Sequence, residues 1–428
     1  MKILLISPHF GVNKNILSKF INYKALALEQ IAALTPERHE VKIINESFQK
    51  INFEEDCDLV GISIITSNSI RGYRIADEFR KRGVTIVFGG YHPTALPEES
   101  KQHADSVVIG EAEESWPQLL IDFENGELKP FYRLNKPVDP DLIPPAKRIG
   151  QNKLLTTAIQ ATRGCPNDCE FCAMPMVEGK KFRGRPIENV IEEIKSIKSN
   201  NLLFVDASLT INPNYTKELF TQMKGLNKKF SCFGNINVLA RDDELLKISA
   251  EAGCKKWLIG LESVSQDTID SINKKTNNIE EYDIAINNIK KHGMMITGLL
   301  MYGFDNDTSQ VFDETLQALY KLNLDIASFS IVTPNPGTRL YDKLEREGRI
   351  LTRDWSKYNE GNVVFKPKKM SEEELLEGVK KASKKYYSYS NCFKRCFLSK
   401  DISLSHLGER VAENFITSKE FYKDLFNY

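Results

Sequence analysis

The sequence predicts an α/β protein: two strand–helix units with parallel sheets, a proline-rich joint between them, and a helical tail. Three observations predict it. Short apolar runs alternate with stretches of helical period over residues 2–120, and again over residues 154–336. Parallel strands need long crossovers, so this alternation implies parallel sheets with helices on their faces. Residues 129–148 hold Pro130, Pro137, Pro140, Pro144 and Pro145 and show no period, which predicts an extended linker.

The first unit begins with a strand at Lys2–Ser7. Further strands are expected at Glu40–Asn45, 59–65, Thr85–Gly89 and Ser106–Ile109. A helix over 70–82 puts Ile70, Tyr73, Ala76 and Phe79 on one face. This is the doubly wound, Rossmann-like pattern, in which ligands sit at the carboxyl ends of strands. Those ends carry Ser7-Pro8-His9-Phe10-Gly11, Ser63-Ile64-Ile65-Thr66, Gly89-Gly90-Tyr91-His92-Pro93 and Gly110-Glu111-Ala112-Glu113. Small residues there let a bulky ligand approach the backbone. The candidate ligand contacts are Ser63, Thr66, Gly89, Gly90, His92, Gly110 and Glu111.

The second unit repeats the alternation. Strands are expected at 154–160, 202–206, 231–235, 257–261, 294–301 and 326–332, with helices at 187–199, 213–226, 242–252, 279–292 and 308–322. Six strands with outer helices fit a partial (β/α)6 barrel or another open sheet. The tail holds a helix at 371–387 and further helical pattern over 404–425. The expected boundaries are 1–128, 129–153, 154–340 and 341–428.

Lys+Arg and Asp+Glu are both 58, so no net charge draws the chain to nucleic acid or anionic membrane. With 41% hydrophobic and 27% charged residues the chain is not mainly disordered. No apolar stretch approaches the ~20 residues of a membrane span. The apolar start is too short for a signal peptide. A cytoplasmic location is therefore expected. Its reducing conditions make a disulfide framework from the eight cysteines improbable, so clustered cysteines point to metal or redox work.

One cluster is dense. Thr162-Arg163-Gly164-Cys165-Pro166-Asn167-Asp168-Cys169-Glu170-Phe171-Cys172 spaces three cysteines as C-x3-C-x2-C. Three thiolates on one loop can hold three irons of a [4Fe–4S] cube and leave the fourth open to a small chelator. The alternatives are zinc with a distant fourth ligand, or three ordinary buried thiols. Zinc ribbons use two C-x2-C pairs, and the second pair is missing. Cys392 and Cys396, four apart in a basic, tyrosine-rich stretch, are expected to pack one helix face.

With Phe171 as the aromatic, this segment resembles the C-x3-C-x-aromatic-C signature of radical S-adenosylmethionine (radical SAM) enzymes. The resemblance continues in Leu203-Phe204-Val205-Asp206, Ile259-Gly260-Leu261-Glu262-Ser263, Gly298-Leu299-Leu300-Met301-Tyr302-Gly303 and Thr333-Pro334-Asn335-Pro336-Gly337. The first unit is similar to the cobalamin-binding domain of one branch, which includes hopanoid methylases and the anaerobic Mg-protoporphyrin ester cyclase. Val60-Gly61-Ile62-Ser63, Gly89-Gly90-Tyr91-His92-Pro93-Thr94 and Gly110-Glu111-Ala112-Glu113 carry that similarity. The stretch from Trp355 to Ser371 resembles a C-terminal extension of the same branch.

The resemblance implies a [4Fe–4S] cluster on Cys165, Cys169 and Cys172, S-adenosylmethionine at its open iron, and cobalamin on the first unit. Cleavage of S-adenosylmethionine would yield a 5′-deoxyadenosyl radical, and methylcobalamin would methylate an unactivated carbon. Radical ring closure without methyl transfer is the rival reading; a non-catalytic iron–sulfur or corrinoid carrier is a third. By resemblance Glu262 contacts S-adenosylmethionine, and Asp206 has the same placement at a strand end. Tyr302 either faces the substrate or packs the barrel. Thr333 either borders the adenosine or closes a turn. His9 stands where some relatives carry a cobalt ligand, although the Asp of that pattern is absent. An external donor such as flavodoxin or ferredoxin is implied, with a small-molecule, lipid or peptide substrate and no nucleic acid.

Overall fold

The computed structural model describes residues 1–9, 26–134, 136–149, 156–398 and 407–417. Residues 10–12 of the first loop, 154–155 of one expected strand, and 404–406 and 418–425 of the last helical pattern lie outside the described residues.

The first unit is a six-stranded parallel sheet. Its strands are β1 (Lys2–Ser7), β2 (Glu40–Asn45), β3 (Leu59–Ser63), β4 (Thr85–Gly89), β5 (Ser106–Ile109) and β6 (Phe131–Arg133), in the order β2-β1-β3-β4-β5-β6. β1 reads as an unbroken apolar run because both its faces are covered. Ile3 and Leu5 join a core with Val87 and Trp116, while Leu4 and Ile6 join a second core with Phe79 and Phe88. The strand order turns back at β1, so a crevice opens at the carboxyl ends of β1 and β3.

The expected linker is more structured than its prolines suggested. Phe131–Arg133 adds to the sheet as β6, with Val107 opposite Phe131. Tyr132 anchors it by donating to Asp122 at 2.7 Å. Three residues are too few to show alternation, which is why the pattern hid this strand.

The second unit holds β7 (Thr157–Ile159), a two-stranded ribbon of β8 (Thr162–Arg163) and β9 (Arg183–Gly184), then β10 (Asn201–Phe204), β11 (Lys229–Gly234), β12 (Cys254–Glu262), β13 (Met295–Tyr302) and β14 (Ile326–Ile331). The main sheet runs β14-β13-β12-β11-β10-β7 and is parallel throughout. Each strand lies beside its successor and the order never turns back, as in a barrel. β7 and β14 end the sheet on opposite edges, so the barrel is open. Outer helices, among them Pro213–Met223 and Val311–Leu322, cover its convex face. Along β12, Trp257, Ile259 and Leu261 face that layer, leaving Leu258 and Gly260 toward the lumen.

The tail helix Glu372–Tyr386 starts with a reciprocal Ser371/Glu374 cap and packs beside β14. Tyr386 donates to the Leu324 carbonyl at 3.0 Å, and Tyr387 to that of Ala327 at 2.7 Å. Cys392 and Cys396 are buried, as expected of a packed helix face. No helix among the described residues is long and apolar enough to cross a membrane.

Candidate active site

The cysteine loop leaves the ribbon at Gly164. Its φ is +79°, and a Cβ there would lie 2.0 Å from the Lys181 carbonyl oxygen, so glycine is required. Cys165 N donates to Gly179 O at 3.2 Å and Cys172 N to Cys169 O at 3.1 Å. Glu170 is held on both sides: its N donates to Ile272 O and its carbonyl accepts from Leu340 N, each at 3.0 Å. The three thiols lie within electrostatic reach of one another. Burial pushes the Cys169 thiol up to about 11, and also raises Cys172. Thiols this hard to ionise make poor free nucleophiles, but metal binding displaces their protons. Among the described residues no three His, Cys, Asp or Glu converge on a point for a single ion. An iron–sulfur cube needs no such point, since each thiolate holds its own iron. The loop therefore fits the cube.

Glu262 ends β12 at φ +60°, just past a bulge at Gly260–Glu262. Its carboxylate accepts from Lys274 Nζ at 2.8 Å. Lys274 lies 6.0 Å from the Phe171 ring centre, beside Cys169. Burial works against the ammonium, but the Glu262 carboxylate and the Cys169 thiol together hold it above its usual range. Glu262 thus reaches the rim of the cysteine loop through Lys274. Lys274 was not anticipated, because it sits in an unpatterned turn.

Asp206 is buried and does another job. Its Oδ1 accepts from Ala161 N at 3.0 Å, Thr162 N at 2.5 Å and Thr162 Oγ1 at 2.7 Å. It braces the strand that enters the cysteine loop. Burial pushes its carboxyl from 3.8 up to about 7. Across that window the unfolded chain releases the proton and the folded one keeps it, so stability falls as pH rises. Asp206→Asn should flatten this slope in urea unfolding of the apoprotein; an unchanged slope contradicts the assignment.

Two candidate contacts have other partners. Tyr302 is buried between Phe312 and Phe329, at centroid distances of 5.4 Å and 6.1 Å. Alternation along β13 gives Leu299 and Met301 the lumen face and Tyr302 the helix face. The Thr333 hydroxyl donates to Ile331 O at 3.1 Å and closes the turn after β14.

A cavity of about 580 Å³ opens between the two units. Leu5, Gly61, Val87 and Val108 form its floor, on the sheet face that Trp116 also lines. Ser63, Gly89, Gly90, Gly110 and Glu111 border it at the strand ends. From the barrel side come Gln160, Arg163, Met174, Val177 and Val205. Gly110 has φ +81° and no atom within 4 Å of where a Cβ would stand, so bare backbone faces the space. A large ligand can lie flat on such a shelf.

Thr66 and His92 do not line this cavity. The short helix Tyr91–Ala95 turns His92 inward, where it is wholly buried. Its Nε2 lies 2.9 Å from Tyr73 Oη and its Nδ1 3.4 Å from Thr66 Oγ1. Trp355 of the tail packs on its ring at 5.6 Å. His9, the other candidate, is anchored by its backbone N donating to Glu46 at 2.9 Å and is not a lining residue.

Glu111 is a clasp as well as a lining residue. Arg163 Nη1 reaches its Oε1 at 2.8 Å, and Arg163 Nη2 reaches Glu113 Oε1 at 2.6 Å. Arg183, opposite Arg163 on the ribbon, reaches Glu111 Oε1 at 2.9 Å. The clasp joins the cavity's rim to the residue that precedes Gly164-Cys165. A second one runs from Glu29 through Arg148 to Glu193 and Arg185. Neither arginine pattern has a sequence signature, since the partners lie far apart along the chain.

Residues 159–319 match the model of the radical SAM superfamily, and residues 22–120 that of the B12 binding domain. Residues 338–418 match a domain of unknown function, DUF4070. The chain is 37% identical over 363 residues to bacteriochlorophyllide d C-8(2)-methyltransferase of Chlorobaculum tepidum, covering 80% of each. It is 33% identical over 355 residues to the C-12(1)-methyltransferase of that organism, covering 79% of this chain and 76% of that one. The solved structure of the radical S-adenosylmethionine methyltransferase TsrM from Kitasatospora setae, with cobalamin and [4Fe–4S] cluster bound, shares the fold. Its TM-score is 0.73 at 14% identity, over 98% of this chain and 99% of that one.

A cysteine loop on an open barrel, facing a B12-type sheet across one cavity, defines a radical SAM enzyme with an N-terminal cobalamin domain. The chain belongs to the radical SAM superfamily, in the group that contains cobalamin-type C-methyltransferases. Its cofactors are a [4Fe–4S] cluster, S-adenosylmethionine and cobalamin. Enzymes of this kind need an external reductant and act on small-molecule substrates.

Proposed function

We propose that this enzyme methylates an unactivated carbon of a large, mostly apolar ring framework, with tetrapyrroles of the chlorin type as the first class to test. The observation that carries the reading is the cavity at the seam, whose barrel wall includes Arg163, two residues before Cys165. The cluster with S-adenosylmethionine supplies hydrogen abstraction, and the corrinoid supplies the methyl group. The chain orients these groups. Glu262, fixed by Lys274, offers its carboxylate to S-adenosylmethionine at the loop rim. Gly89, Gly90 and Gly110 offer a flat backbone shelf to the corrinoid. Met174 and Val177 keep water from the seam. The substrate class is supported by the names of the two Chlorobaculum relatives. We place the reaction in the cytoplasm, with a flavodoxin or ferredoxin as electron donor.

Anaerobic holoenzyme with reductant, S-adenosylmethionine and bacteriochlorophyllide d tests this. The expected products are S-adenosylhomocysteine and 5′-deoxyadenosine in equal amounts, with a substrate heavier by one methylene. 5′-Deoxyadenosine alone would turn the reading to ring closure. The shelf has its own test. Gly89 has an ordinary backbone, and a Cβ there would meet only Val108, at 3.9 Å. Gly89→Leu should therefore fold, fill the cavity, and lower cobalt per chain while iron stays constant. Unchanged cobalt would contradict the placement.

A further inference from the structure

One carboxyl in the barrel is used by nothing described so far. Glu360 belongs to the tail, on a turn that crosses the open edge of the barrel at β14. Its carbonyl accepts from Ile331 N at 2.7 Å, on the last residue of that edge strand. The turn is firmly built: Asn359 Oδ1 accepts from Gly361 N at 3.1 Å and from Asn362 Nδ2 at 2.8 Å. Beyond it, Phe365 bridges to Ile350. Glu360 itself holds φ +66°, a conformation that a glutamate adopts only when its surroundings impose it.

The side chain points to the lumen. Along β14, Phe329 faces the outer layer, where it packs on Tyr302 and Tyr386. Ser330 therefore faces inward, and its hydroxyl donates to Glu360 Oε2 at 3.1 Å. Glu360 remains exposed by area, yet neighbouring atoms crowd it. Exposed and crowded together describe a group that faces a concave interior. Burial, and then the Glu262 charge across the lumen, raise its carboxyl above the usual range. No cation forms an ion pair with it among the described residues. A carboxyl in such a place is available to hydrogen-bond a polar group that enters the lumen.

We infer that Glu360, presented beside Ser330 on the lumen wall, is a substrate-contacting residue that hydrogen-bonds an oxygen-bearing polar group of the substrate. Leu299 and Met301, on the lumen face of β13, take the carbon framework next to it. This rests on the reading of the chain as a C-methylase, and it assigns the tail a part in choosing the substrate.

The first arm of the test needs no substrate. Holoenzyme is treated with a water-soluble carbodiimide and glycinamide, and the labelled carboxyls are mapped by mass spectrometry. A lumen-facing Glu360 is labelled; an unlabelled Glu360 overturns its placement. The second arm uses bacteriochlorophyllide d with Glu360→Gln and Glu360→Ala. Loss of one buried hydrogen bond should raise KM about tenfold in the alanine variant and less in the glutamine variant. In both, 5′-deoxyadenosine should exceed methylated product, while iron and cobalt per chain stay at wild-type values. Wild-type KM and coupling in both variants would overturn the inference and leave the methylase reading standing. Should wild-type enzyme leave that probe unmethylated, the tetrapyrrole reading fails, and labelling alone supports or overturns Glu360.

Discussion

Alanine in place of Cys165, Cys169 or Cys172 is expected to abolish 5′-deoxyadenosine formation and to strip iron from the chain. The reason lies in how the loop is held. It is fixed by backbone bonds to Gly179, Ile272 and Leu340, none of which involves a thiol. The loop should therefore keep its shape without its sulfurs, while the metal loses a bond that nothing else can replace. Radical chemistry on an unactivated carbon has no slower protein-only route, so the loss should exceed ~10⁶-fold. Alanine at the same positions in a cobalamin-loaded protein should leave cobalt unaffected, because the cavity shares no residue with the three ligands. Iron and cobalt assays on each variant, beside product analysis, check both halves. Retained turnover in any one alanine variant would remove that cysteine from the ligand set.

The second large effect is expected at the clasp. Arg163 is nearly buried and joins Glu111 and Glu113, which flank the cavity, to the entry of the cysteine loop. Removing the guanidinium leaves Glu111 with Arg183 and takes away the ion-pair partner of Glu113, and breaking a buried pair costs about 3–5 kcal/mol. Arg163→Met should thus loosen the seam more than either cofactor site. The expected result is a fall in S-adenosylhomocysteine relative to 5′-deoxyadenosine, because S-adenosylmethionine cleavage outruns methyl transfer. Cobalt should fall and iron should not. Arg163→Lys cannot span both acids with one ammonium, so it should restore only part of the coupling. Equal loss of iron and cobalt would mark Arg163 as a general fold residue instead.

The cysteine spacing carried the chemistry in eleven residues, and alternation carried the two sheets. Both signals are local. Glu262 was legible for the same reason, as the polar end of an apolar strand. Four features escaped. β6 was too short to alternate. Lys274, Arg163 and Glu360 act on partners that only the fold brings near, at separations of 12, 50 and 30 residues for Glu262, Glu113 and Ser330. His92 shows the opposite error. A histidine in a strand-end loop resembles a ligand, but one helical turn points it into the core. Tyr302 had two open readings, and packing is the one observed, because a shift of one residue along β13 separates lumen from outer layer.

The most direct test is the metal centre of anaerobically purified protein, read by iron and sulfide analysis with electron paramagnetic resonance of the reduced state. The expected result is about four irons per chain and a signal that changes when S-adenosylmethionine is added. Zinc in place of iron, or a cluster signal indifferent to S-adenosylmethionine, would contradict an iron cube with one open corner.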